Sequence, residues 1–269
     1  MANLDVTMSK TDVVAAKGKE KQKSLARFFN IPVVVIGFAL IAVICISARV
    51  YQQYFAWWYG LDSTQPDFQT YWMTLLYAEL TIIPLIGLGM AVYLWMTRDR
   101  DLTKLKPAAE LKRYITFISL IFVYAWTFYW AGSFFAEQDA SWHQVVVRDT
   151  SFTPSHIIVF YFMFPLFIIQ GVGVLLYATT RLPLYAKGVS IPLLMAVVGP
   201  FMLFPNVGFN EWGHAFWIME EYFTVPLHYG FVFFGWSILA LGGILVQIMA
   251  RLAVLFTEVF GEEADEASA

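Results

Sequence analysis

The four histidines of the chain fall into two sets of the same composition. Each set joins two histidines to one oxygen donor: Asp139 with His143 and His156, and Asn210 with His214 and His228. In both sets the oxygen donor precedes the first histidine by four positions, which on a helix places their Cβ atoms about 5–6 Å apart on one face. Two imidazoles and one oxygen donor can hold a divalent transition metal and leave positions open for oxygen or water. Copper, iron and zinc all accept such ligands.

Each of these residues also has a simpler explanation when it is considered alone. A single histidine at a membrane interface more often anchors a hydrogen bond than binds a metal. Asp139 could accept a hydrogen bond from Arg148 or cap a helix. Taken together, these residues favour a functional role over a structural one, because placing ionisable side chains at membrane depth costs free energy. Spacing alone leaves a metal site and structural histidines as two open alternatives.

The composition indicates an all-α integral membrane protein. Of the 269 residues, 59% are hydrophobic and only 14% are charged, whereas soluble domains carry about 25% charged residues. Aromatic residues make up 18% of the chain, which suits wide belts at the two membrane interfaces. The one cysteine, Cys45, excludes an internal disulfide and a cysteine-based metal site. No phosphate-binding glycine loop, nucleophile elbow or nucleic-acid signature is present, so no nucleic-acid partner is expected.

Apolar segments predict about six membrane-spanning helices, since a helix needs about 20 residues to cross the hydrocarbon core. The six predicted spans are Ile31–Tyr51, Tyr71–Met96, Tyr114–Phe135, Ile157–Thr179, Ile191–Phe204 and Leu227–Met249. The fifth is short, and three prolines make its ends uncertain. The segments 1–30 and 251–269 are predicted to be solvated tails around a transmembrane domain, 31–250. No signal peptide is expected, because a polar segment precedes the first span.

Basic residues predict the orientation. All but two of the 17 Lys and Arg residues lie in the tails or in the loops that share a side with them; the exceptions are Arg49 and Arg148. By the positive-inside rule both termini are then cytoplasmic. The loops 52–70, 136–156 and 205–226 face outward, and they carry or border both histidine sets. We therefore expect a multi-pass protein of a bacterial cytoplasmic or intracytoplasmic membrane, with the histidine sets toward the periplasm.

Glu79 is a further ionisable residue within a predicted span, in "YAELTIIPLIG". Three interpretations are open. It could carry protons, it could pair with a residue of another subunit, or it could lie near the outer interface and be solvated.

Four segments resemble one family closely. They are "AEQDASWHQVVVRDTSFTPSH" (136–156), "GPFMLFPNVGFNEWGHAFWIMEEYFTVPLHYGF" (199–231), "TRLPLYAKGVSIPL" (180–193) and "GLDSTQPDFQTYWM" (60–73). This pattern resembles the C subunit of the copper membrane monooxygenases, which include particulate methane monooxygenase, ammonia monooxygenase and short-alkane enzymes. The likeness extends over residues 51–237 and excludes the tails.

The resemblance implies a copper protein whose ligands match both histidine sets. Asp139, His143 and His156 match the first copper site of that family and would be its catalytic ligands, and Asn210, His214 and His228 match an adjacent second site. The resemblance also implies A and B subunits in a trimer of heterotrimers within the bilayer, with further copper in the B subunit. The complex would use O2 and an electron donor, for which quinol is a candidate. The C subunit is not expected to be active alone.

Two features of the sequence bear on the substrate. Methane-oxidising members read "EQDGTWHQ" and carry a glutamate three residues after the second histidine, whereas this chain reads "EQDASWHQ" and has Val159 there. These differences favour ammonia, oxidised to hydroxylamine, with methane or short-chain alkanes as alternatives. Two functions of other classes stay open: a non-catalytic scaffold protein with a structural metal site, and a proton or cation carrier that uses Glu79.

Overall fold

The computed structural model describes residues 28–145, 152–202 and 226–266, and within these ranges the regular structure is helical throughout. The helices, numbered along the chain, are α1 (Ile31–Tyr59), α2 (Pro66–Met96), α3 (Pro107–Tyr129), α4 (Ala136–Val145), α5 (Pro154–Arg181), α6 (Pro183–Ala186), α7 (Ile191–Val198) and α8 (Pro226–Glu266). A π-helical segment, Trp130–Phe135, joins α3 to α4 without a break. Two further π-helical segments, Gln69–Met73 and Ile157–Met163, lie within α2 and α5.

Five candidate membrane spans are found among the described residues: Ile31–Tyr59, Pro66–Met96, Pro107–Trp142, Pro154–Arg181 and Trp236–Gly261. The membrane-protein prediction is confirmed, and these helices coincide with five of the six predicted spans. The predicted fifth span, Ile191–Phe204, ends outside the described residues, and its described part is an apolar helix, Ile191–Phe201. At 1.5 Å per residue it is about 16 Å long, roughly half the thickness of the hydrocarbon core.

Prolines and short polar side chains define where the helices begin. Proline occupies one of the first two positions of α1, α3 and α5, where its missing N–H costs no intrahelical hydrogen bond. Thr153 accepts a hydrogen bond from the His156 backbone N–H at the start of α5, and Ser190 accepts one from Leu193 N at the start of α7. These caps place His156 in the first turn of α5.

The helices α3 and α5 form the centre of the bundle. Buried residues make up 44% and 56% of their most apolar windows, against 11% in α1, 17% in α2 and 22% in the last span. Close approach of the backbones depends on small residues, as is usual between membrane helices. A Cβ atom on Gly37 would lie 2.6 Å from Val123, and one on Gly173 would lie 2.7 Å from the Met90 sulfur.

Charged side chains connect the helices at the end of the bundle that is predicted to be cytoplasmic. Arg251 of α8 donates two hydrogen bonds to the Glu110 carboxylate of α3, at 2.8 and 2.7 Å. Arg181 of α5 donates to Leu94 O at 3.1 Å and to Thr97 Oγ1 at 2.6 Å, both at the end of α2. The middle of α8 is thereby held to the first turn of α3, and the last turn of α5 to the end of α2.

Candidate metal centre

Two of the predicted ligands lie on neighbouring helices and face each other. Asp139 lies on α4 and His156 in the first turn of α5. The His156 Nε2 atom is 3.6 Å from the Asp139 Oδ1 atom, and the two side chains are only 3% and 9% exposed. Placing a carboxylate in such a dry position is costly unless a cation or hydrogen-bond donors compensate it.

The distance between these two atoms fits a shared metal ion. Imidazole nitrogens and carboxylate oxygens bind ions such as Zn²⁺ at about 2.0–2.2 Å. Two ligand atoms 3.6 Å apart can therefore both contact one ion. The His156 ring packs on one side against Phe160, with ring centroids 5.0 Å apart and planes inclined at 56°, which restricts the orientation of the imidazole.

Two π-helical segments flank the pair. Trp130–Phe135 ends immediately before α4, and Ile157–Met163 begins immediately after His156. Each wider turn rotates the side chains beyond it relative to a regular α-helix, and such turns occur frequently at functional sites. Phe135, Ile157, Ile158 and Met163 in these segments are fully buried, so the segments that adjoin the pair in sequence lie in the apolar core.

The other four predicted ligands are only partly described or lie outside the description. His143 follows Asp139 by one helical turn on α4, and His228 lies near the start of α8, but their side chains fall outside the described part. Asn210 and His214 lie outside the described residues altogether. Among the described side chains, no group of three or more His, Cys, Asp or Glu is close enough to hold a metal ion. The structure thus brings two of the six predicted ligands, Asp139 and His156, together.

Gly60 supports the His156 turn, a contribution that histidine spacing did not reveal. It follows the last residue of α1 and packs against α2 and α5. A Cβ atom there would lie 2.4 Å from Pro154 Cγ, 2.6 Å from Ala56 O and 3.0 Å from Trp72 Nε1. Only glycine allows this approach without displacing Pro154, two residues before His156. Gly60 opens the family-like segment 60–73, which is the one signal that could have indicated it.

Glu79 lies apart from the Asp139–His156 pair. Its side chain is buried on α2 and lines a cavity of about 410 Å³ together with Tyr51, Ile83, Ile158 and other mainly apolar residues. Its Oε2 atom has no hydrogen-bond partner among the described residues. This burial argues against a freely solvated carboxylate.

A comparison with known protein families covers nearly the whole chain. A family model for the C subunit of ammonia monooxygenase/methane monooxygenase matches residues 14–259. The matched range includes both histidine sets and every described helix except the end of α8. No curated protein matches the sequence. Because the match extends over nearly the entire length, the chain belongs to the family of C subunits of ammonia monooxygenase/methane monooxygenase.

Proposed function

We propose that this chain is the copper-binding C subunit of a membrane-bound monooxygenase that hydroxylates a small substrate with O2. Family membership supports a role within a monooxygenase complex. The observation that carries the metal proposal is the convergence of Asp139 and His156 at 3.6 Å in a buried position. A carboxylate oxygen and an imidazole nitrogen brought together from separate helices in a buried position supply two of the donor types that a transition-metal ion takes.

Asp139, His143 and His156 would hold the copper ion. The carboxylate supplies a negative charge that offsets the charge of the ion, and the two neutral imidazoles supply nitrogen donors. His143 is proposed as the third ligand because it lies one helical turn after Asp139 on α4. Copper bound there would supply one-electron chemistry for O2, so that the overall reaction is RH + O2 + 2e⁻ + 2H⁺ → ROH + H2O.

The residues around these ligands hold the imidazole and exclude water. Thr153 caps the turn that carries His156, and Phe160 packs against its ring. Fully buried Phe135, Ile157 and Ile158 make the surroundings apolar. A dry site strengthens the electrostatic attraction between the ligands and the ion and favours entry of a small substrate from the bilayer.

Asn210, His214 and His228 are proposed as a second set close to the first. An amide oxygen is a neutral donor, so a copper ion held by this set would bind more weakly than one held by Asp139. Alternatively these residues donate hydrogen bonds that orient the first ligands.

Ammonia, oxidised to hydroxylamine, is the substrate that we propose, with methane and short-chain alkanes as alternatives. The support is the "EQDASWHQ" segment together with Val159, which is buried three residues after His156 where methane-oxidising members carry glutamate. Incubation of one purified complex with each substrate, followed by product analysis, distinguishes these possibilities.

We propose A and B subunits as partners in a trimer of heterotrimers, with quinol as the candidate electron donor. The proposed location is a bacterial cytoplasmic or intracytoplasmic membrane, with the metal sites toward the periplasm. Supporting this assembly, α1, α2 and the last span leave large apolar side chains exposed, including Ile36, Leu85 and Val246. Such surfaces suit contact with lipid and with other membrane proteins of the complex.

Alanine variants of the three ligands test the proposal in the assembled complex. Asp139→Ala, His143→Ala and His156→Ala should each remove one copper ion per chain and abolish hydroxylation, while assembly persists. Asp67→Ala, which removes an exposed carboxylate from a predicted outward loop, should change neither. A scaffold role would instead show as lower stability of the assembled complex without a specific loss of turnover. Full copper content and full activity in any of the three variants would exclude that residue as a ligand.

A further inference from the structure

A polar cavity lies between α1 and α4, close to the metal ligands but not lined by Asp139 or His156. Its volume is about 360 Å³. The polar side chains that line it are Arg49, Gln52, Gln53, Gln138 and Ser141, beside the rings of Trp57 and Trp142. No carboxylate is among the described lining residues. Its only formal charge in the described structure is therefore the positive charge of Arg49.

Among the described residues, the groups lining this cavity have no negatively charged partner. Arg49 Nη1 donates to Gln52 Oε1 at 3.0 Å, but none of the ion pairs among the described residues includes Arg49. The Trp142 side chain is 6% exposed, and within the described structure its indole N–H has no acceptor. A buried donor without an acceptor is costly. A cation without a counter-ion beside such a donor indicates an anion with several acceptor oxygens.

The position of the cavity along α1 matches the headgroup region of a bilayer. Arg49 lies about 27 Å along the helix axis from Ile31, at 1.5 Å per residue, and the hydrocarbon core is about 30 Å thick. Tyr54, Trp57 and Trp58 follow within the next turns and are exposed, as expected for side chains of an interfacial aromatic belt.

Exposed apolar side chains lie before and after Arg49 on α1. Val43, Ile46 and Val50 are exposed on α1. A second groove of about 390 Å³ includes Gln53, which also lines the polar cavity, together with Val50, Tyr54 and Trp58. Polar donors at headgroup depth are thereby continuous with an apolar surface suited to acyl chains.

We propose that this cavity binds the phosphate group of a membrane phospholipid. Arg49 is its charged ligand, since a guanidinium can donate two parallel hydrogen bonds to phosphate oxygens. The Trp142 indole and the amides of Gln53 and Gln138 supply further donors. The acyl chains lie along Val43, Ile46 and Val50. A lipid held there would contact Trp142 and Gln138, the neighbours in sequence of His143 and Asp139, and so cover one side of α4.

Native mass spectrometry of the purified complex tests this proposal. The complex is delipidated in mild detergent, and palmitoyl-oleoyl phosphatidylglycerol is then titrated in. Wild type should retain one phospholipid per chain more tightly than Arg49→Gln, by about tenfold or more for a charge-assisted hydrogen bond. Arg49→Lys should keep most of this retention, and Trp142→Phe should weaken it. Arg100→Gln removes the same charge from an exposed position and should behave like wild type.

Three results would overturn the proposal. Equal lipid retention by wild type and Arg49→Gln would show that the guanidinium does not bind phospholipid. Loss of the other subunits from Arg49→Gln, with lipid retention per chain unchanged, would assign the cavity to an acidic residue of a partner. Displacement of the lipid by millimolar inorganic phosphate, without selectivity for phosphatidylglycerol, would indicate a site for soluble anions.

Discussion

Single residues determine how His156 is presented, and Gly60 is the clearest case. Gly60→Ala should destabilise the protein by about 1–3 kcal/mol, the usual cost of overpacking, because the new methyl group overlaps Pro154 and the Ala56 carbonyl. It should also lower the copper content, since Pro154 belongs to the same turn as His156. Thermal unfolding and metal analysis of the purified complex measure both effects.

Gly188→Ala is the matched control for this change. No heavy atom lies within 4 Å of a Cβ placed on Gly188, and no glycine in the described residues has a positive φ. The substitution should therefore leave stability and copper unchanged. Equal behaviour of Gly60→Ala and Gly188→Ala would contradict the close packing described here.

At the residue scale the sequence predicted part of the site. The predicted fourth span, Ile157–Thr179, correctly indicated that His156 lies near the start of a membrane helix. Spacing could not indicate the contribution of Gly60, because its contact with Pro154 joins residues far apart in the chain. Nor could it reveal the 3.6 Å approach of Asp139 to His156, which depends on how α4 and α5 pack.

Among the elements, the long helices were predictable because each is a long apolar segment. Two features were not. Within the predicted fifth span, the α-helix passes at Gly199 into a 3₁₀ turn around Pro200, for which apolar composition gives no signal. The π-helical segments Trp130–Phe135 and Ile157–Met163 are as apolar as their surroundings, so hydropathy gives no signal for them.

The ion pair between α3 and α8 should stabilise the bundle. Arg251→Gln leaves the buried Glu110 carboxylate without its counter-ion and should cost about 1–3 kcal/mol. This cost is at the low end of the range for breaking a buried ion pair. The Arg251 side chain is 37% exposed, so water partly replaces the lost interaction. The shift in Tm of the detergent-solubilised complex measures this cost.

The pair of Lys104 with Asp101 provides the comparison. Lys104 Nζ lies 3.0 Å from Asp101 Oδ2, but the Lys104 and Asp101 side chains are 83% and 42% exposed. Lys104→Gln should therefore change stability by less than about 0.5 kcal/mol. If Arg251→Gln and Lys104→Gln lowered Tm equally, burial of Glu110 would not be the cause of the lost stability.

At the scale of the whole molecule, the central helices could not be identified from composition. Residues that face lipid and residues that face the protein core are equally apolar in a membrane protein. Only the structure shows that α3 and α5 are central and that α1 and α2 are largely exposed. This arrangement leaves the apolar surfaces that we assign to lipid and to other subunits.

The orientation of the bundle follows from the distribution of Lys and Arg and is open to direct test. We predict that alkaline phosphatase fused after Phe68 is active, because the start of α2, where Phe68 lies, is predicted to face the periplasm. Green fluorescent protein fused after Asp101 should fluoresce, because the loop between α2 and α3 is predicted to face the cytoplasm. The reverse pattern, with activity after Phe68 only for the cytoplasmic reporter, would invert the proposed topology.

We propose that Asp139, His143 and His156 bind one copper ion. Electron paramagnetic resonance of the oxidised complex tests this copper site most directly. The spectrum of the His156→Gln complex is subtracted from that of the wild-type complex. Signals from copper in other subunits cancel in this difference. We predict the spectrum of one mononuclear Cu²⁺ per chain, with hyperfine couplings from two imidazole nitrogens. Superimposable spectra from wild type and His156→Gln, at equal copper content, would contradict the claim.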